Sequence, residues 1–123
     1  MPGNTEPIDL SVLEAIRSFR REGRPDPLRH IVNLFAEHSR QLIDRMEDAL
    51  AHGDGGTVRE TAHSLKSSSG NVGAVNLFSL CKEMEQAGKE ANIGLARRIL
   101  PQLLEAYEQA GVALEQYLND HPQ

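Results

Sequence analysis

The spacing of the apolar residues constrains this chain more than any other feature. Along four long stretches they recur at steps of three and four, the period of one face of an α-helix and not the alternation of a half-buried strand. Clusters of Gly, Pro and Asp separate the stretches, so the pattern resolves into five helical segments. The first is short, about residues 9 to 22, with Ser11 and Glu14 spaced as a capping box and Leu10, Leu13, Ile16 and Phe19 along one side. Asp26 and Pro27 form an N-cap and first-turn pair that opens the second, which runs to about His52 with Leu28, Ile31, Phe35, Leu42, Met46 and Ala49 as its stripe. The third begins near Asp54 or Thr57, the latter spaced with Glu60 as another capping box. Its apolar and small positions, Val58, Ala62, Leu65, Ser69 and Val72, make one continuous stripe.

The fourth segment spans about residues 74 to 87, with Leu77, Leu80, Cys81 and Met84 inward and Gly88 as its stop. The last covers roughly residues 93 to 119 and presents Leu100, Leu103, Leu104, Tyr107, Leu114 and Leu118. Pro101 is expected to kink it, because proline lacks a backbone donor and crowds the preceding turn. Long amphipathic helices joined by short loops pack most simply as an antiparallel up-down four-helix bundle, with the short first helix across one end. The fold class is therefore all-α, with residues 9 to 120 as one bundle domain and residues 1 to 8 as a flexible start. The chain of 123 residues fits one core of that size, and 4% aromatic content without Trp leans the same way.

Charge and cysteine usage narrow the functions. A net charge of -5 argues against a general nucleic-acid binder, which needs clustered Lys and Arg. Cys81 stands alone, so neither an internal disulfide nor a multi-Cys metal site is open to it, and it reads as a small core residue. The opening residues have no basic, apolar leader pattern and no segment approaches a membrane span, so a cytoplasmic protein without membrane contact is expected.

One helix carries an anomaly. With Val58, Ala62, Leu65, Ser69 and Val72 turned to the core, the set displaced by one residue, Arg59, His63, Lys66 and Gly70, lies at the solvent margin. His63 and Lys66, three apart, are neighbours there and can reach the same small anion. Ser67, Ser68, Ser69 and Gly70 then follow as weak helix formers, with Gly costing about 1 kcal/mol relative to Ala. Ser69 serves the core stripe, whereas a small Ser67 one turn after His63 leaves the imidazole standing clear. A neutral imidazole is a ready nucleophile, and a lysine beside it offsets the charge of a phosphoryl group. No phosphate-binding loop for a nucleotide is present in the sequence, so a donor phosphoprotein is expected in place of ATP. His30, His38, His52 and His121 have no such surroundings and read as solvated.

The stretch "AHSLKSSSGNVGA" resembles the signature of histidine-containing phosphotransfer (HPt) domains, His-x-Leu-Lys-Gly, a few small residues, then Gly-Ala. The resemblance covers nearly the whole chain. It implies a four-helix bundle that takes a phosphoryl group from the aspartate of a response-regulator receiver domain and passes it to another, without autokinase activity. In that pattern His63 is the phosphoacceptor, Lys66 its charge partner, and Gly73 the glycine that ends the helix. Glu85 falls where relatives carry a polar residue, often Gln, that holds the imidazole by a hydrogen bond. Ser67 stands where the family usually has Gly, a departure that keeps the position small. The implied partners are receiver domains and a hybrid sensor histidine kinase, and no cofactor is implied on this chain, Mg²⁺ arriving with the receiver.

Two rival readings are open. Glu60 and His63 also spell Glu-x-x-His, as in metal-binding carboxylate bundles, but the second pair and two further inward glutamates those sites need are missing. A helical adaptor could bind receivers without carrying phosphate, and His63→Gln separates the two, since an adaptor keeps its signalling output. Leu13, Ile16 and Val32 are expected to rim the docking face around His63.

Overall fold

In a computed structural model, which describes residues 6–122, five helices follow one another without a strand among the described residues. They are α1 (Leu10–Arg17), α2 (Pro27–His52), α3 (Gly55–Asn71), α4 (Val75–Lys89) and α5 (Ile93–Asp120). The all-α class and every expected segment are present, and the four long helices form the bundle. α3 packs between α2 and α4, α5 closes the ring against α4 and α2, and α1 rests on α2. Of the expected free start, residues 1 to 5 lie outside the described residues, while Ile8 is buried in the core at 4% exposure.

The helix ends follow local chemistry, with four departures from expectation. α1 is capped by Asp9 and not by Ser11: the Asp9 carboxylate accepts the Ser11 N–H at 3.0 Å and its hydroxyl at 2.7 Å. α1 also stops at Arg17 and does not reach residue 22, because Phe19 is 77% exposed and has no core to pack on. Asp26 caps α2 as expected, and Asp54 caps α3, taking the N–H of Thr57 at 3.1 Å and its hydroxyl at 2.7 Å. That bond commits the Thr57 hydroxyl, so the Thr57–Glu60 capping box does not form. α4 runs through Gly88 to Lys89, and Ala91, with φ 54°, takes the left-handed turn beyond its end. α5 continues from Ile93 to Asp120 through Pro101, whose ring is exposed, while Ile99 and Leu103 are buried to either side.

The core holds Leu28, Ile43, Met46, Leu65, Leu77, Met84, Leu103 and Leu114, all fully buried. Each such side chain contributes about 1.5–3 kcal/mol by leaving water. Its few polar groups are satisfied: Ser69 donates to the Leu65 carbonyl at 2.7 Å, Thr61 to that of Thr57 at 2.9 Å, and Ser39 to the Tyr107 hydroxyl at 3.1 Å. Cys81 is enclosed with them, and burial pushes its thiol up to about 12.

Gly88 shows why α3 and α4 meet so closely. A Cβ there would stand 2.7 Å from the Arg59 nitrogen and 2.9 Å from the Gly55 oxygen, so backbone touches backbone. That contact sets the antiparallel register. One turn along from Arg59 on α3 is His63, and about one turn back from Gly88 on α4 is Glu85.

Candidate functional site

His63 lies on the outer face of α3 with its side chain 62% exposed, opposite the stripe of Val58, Ala62, Leu65 and Ser69. Its Nδ1 is 2.8 Å from Glu85 Oε2. The other carboxylate oxygen, Oε1, accepts from the Lys66 ammonium at 2.7 Å. One carboxylate thus ties together the two residues that the sequence places side by side, from a helix that only the family resemblance related to His63. Lys66 and Glu85 are about a fifth exposed, so their ion pair is partly shielded from solvent, whereas the ring stands outside it.

This geometry assigns the ring's protons. An ionised carboxylate only accepts, so in the neutral ring Nδ1 carries the hydrogen it donates to Glu85 and Nε2 keeps the lone pair. Among the described residues no group bonds Nε2. Glu85 is held below the usual carboxylate range chiefly by its bond from Lys66, which together with the bond from His63 outweighs the opposing effect of partial burial. It is therefore ionised near neutral pH.

The remaining expected residues occupy distinct places. Ser67 is exposed one turn beyond His63. Gly70 is exposed a further turn along, and a Cβ there would make only ordinary contact with the Phe78 ring at 3.5 Å. Gly73 sits past the end of α3 with φ 71°, where a Cβ would press on the Asp9 oxygen at 2.9 Å, and its own carbonyl accepts the Asp9 N–H at 2.8 Å. It joins the start of α1 to the end of α3, far from the imidazole. Arg59, Glu60 and Ser64, with Gly56, share a shallow cleft with His63 and Glu85. Its spacing of four from His63 placed Arg59 on this margin in the sequence, but only the cleft shows Glu60 and Ser64 there.

The expected docking rim needs correction. Leu13 and Val32 are core residues, 0% and 3% exposed, and Ile16 is half-buried against them. α1 lies over the bundle and covers the side that the sequence leaves open. The exposed apolar groups beside α3 are instead Leu34, 52% exposed in a groove with Ser68 and Asn71, and Phe78, against Gly70. The metal-bundle reading meets an equal difficulty, since His63 faces outward and no group of three or more His, Cys, Asp or Glu among the described residues could hold a metal ion. No helix in the described residues is long and apolar enough to cross a membrane.

Histidine-containing phosphotransfer protein B from Pseudomonas aeruginosa superposes with a TM-score of 0.85 at 24% identity, covering 96% of this chain and 99% of that one. A histidine-containing phosphotransfer protein from Medicago truncatula superposes with a TM-score of 0.76 at 21% identity, covering 96% and 85%. At these identities the likeness shows the shared bundle fold. No individually curated protein matches the chain. The family model described as the Hpt domain matches residues 30–113, which takes in most of α2, all of α3 and α4, most of α5 and the whole His63 cluster. With well over half its length matched, the chain belongs to the Hpt domain family, the histidine phosphotransfer domains of phosphorelays.

Proposed function

We propose that this protein is a phosphocarrier in which His63 Nε2 takes a phosphoryl group from the aspartate of a receiver domain and yields it to the aspartate of another. The observation that carries this reading is the exposed ring whose Nδ1–H is engaged by Glu85, which leaves the Nε2 lone pair toward solvent. In the inward step Nε2 attacks phosphorus, the Nε2–P bond forms, and the bond to the aspartyl oxygen breaks with its electron pair returning to the carboxylate. The proton on Nδ1 stays where Glu85 accepts it, so no general base is required. Mg²⁺ accompanies the receiver. The family resemblance assigns Lys66 to charge stabilisation, and the sequence offers no nucleotide loop for autophosphorylation.

Low side chains at Ser67, Gly70 and Asn71 give a receiver access along α3, with Leu34 and Phe78 as apolar contacts at its edges. The expected donors are receivers attached to a hybrid sensor histidine kinase, which places the relay in the cytoplasm. Incubation with a phosphorylated receiver tests the reading. Label should pass to the wild type in an acid-labile, base-stable form and be absent from His63→Gln. Equal labelling of that variant ends the proposal, and unchanged signalling output from it identifies an adaptor.

A further inference from the structure

The family pattern makes Lys66 a direct partner of the phosphoryl group, yet its ammonium is bound to Glu85 at 2.7 Å. Glu85 in turn spends its second oxygen on the ring at 2.8 Å. We infer that Lys66 is a positioning residue that acts through Glu85, fixing the carboxylate where it keeps the proton on His63 Nδ1 through the phosphorylated state. This rests on the proposal that His63 carries the phosphoryl group.

The chemistry of the outward step gives that proton its importance. When the receiver aspartate attacks phosphorus, the new P–O bond forms and the Nε2–P bond breaks, its electron pair returning to Nε2. With Nδ1 protonated, the group that leaves is a neutral imidazole. With Nδ1 bare, it would be an imidazolate anion, a far poorer leaving group. A carboxylate holds an N–H more firmly than an amide carbonyl does, because the bond is charge-assisted. The glutamine that relatives often carry would keep the ring's orientation without that hold.

Glu85 can do this only if it is itself held. Its side chain has several rotatable bonds, and the Lys66 contact fixes one oxygen while the other faces the ring. The other groups near the ring do not offer a substitute. Arg59 and Glu60 of α3 share its cleft, Cys81 of α4 is buried with its thiol pushed up to about 12, and neither α2 nor α5 contributes a residue to the cleft. Glu85 is the one acceptor bonded to Nδ1 among the described residues.

The test charges five proteins with potassium phosphoramidate: the wild type, Glu85→Gln, Lys66→Met, Lys66→Arg, and the double variant that combines Glu85→Gln with Lys66→Met. Discharge to a receiver domain is then followed from pH 6 to 10. Both affected groups are near the surface, and matched circular dichroism and Tm confirm folding. Glu85→Gln should move the alkaline fall in rate down by about one pH unit. Lys66→Met should move it the same way and slow discharge about tenfold at alkaline pH, but less than twofold when Glu85→Gln is already in place. Lys66→Arg should restore most of the wild-type profile. A cation acting directly on the phosphoryl group predicts the opposite sign, because removing it would favour the ring proton and move the fall upward. An upward shift, or an equal loss in both backgrounds, overturns the inference. Failure of phosphoramidate to label His63 overturns instead the proposal beneath it.

Discussion

Gly88 illustrates how much one position decides at the scale of the residue. The sequence offers it as a helix stop, since glycine is common just past a helix end, but α4 continues through it and uses its missing side chain for contact with α3. Gly88→Ala should cost about 1–3 kcal/mol in chemical denaturation, because the neighbouring atoms are backbone and cannot turn aside. The same variant should weaken the His63–Glu85 bond by pushing the helices apart, visible as a changed Nδ1 chemical shift in NMR. His63 and Lys66 were legible from the sequence as a pair, since positions three apart on a helix share a face whatever surrounds them. Glu85 was legible only by its place in the family pattern. No local rule links it to a residue on another helix.

At the scale of the element, propensity located the helices better than it located their ends. Residues 18 to 22 are compatible with helix, but Phe19 projects into water and the ends of the short α1 are set by Asp9 and by the turns after Ser18. Thr57 shows the same limit, for two residues spaced as a capping box give way to an Asp three positions earlier with a better placed carboxylate. α5 holds a glycine of the opposite kind to Gly88. A Cβ on Gly111 would meet nothing within 4 Å, although the residue lies in the interior of a long helix. Gly111→Ala should therefore raise stability by about 0.5–1 kcal/mol, read as a higher Tm, by restricting the unfolded chain and improving helix propensity. A fall in Tm would show that the site needs the glycine for its backbone.

For the whole molecule, the bundle links the site to stability through Glu85, whose ion pair with Lys66 and hydrogen bond with His63 join α3 and α4. Its carboxyl is held below its ordinary value of 4.5, with Lys66 the larger cause. A depressed carboxyl stabilises the fold above that ordinary value, and the contribution fades as pH falls through the lower folded one. Wild-type stability should thus drop more steeply below about pH 4.5 than that of Glu85→Gln, measured by urea unfolding across a pH series. Parallel curves would mean that the folded and unfolded states hold the Glu85 proton alike. The sequence by itself determined the number of helices, their buried stripes and the adjacency of His63 and Lys66, because each is a property of one helix and its period. Only the tertiary structure decided that Glu85 completes the cluster, that Leu13 and Val32 go inward, and that Leu34 and Phe78 are the apolar groups left exposed beside α3. Those depend on the register and approach of separate helices, which the backbone contact at Gly55 and Gly88 and the cover of α1 impose from outside any local pattern.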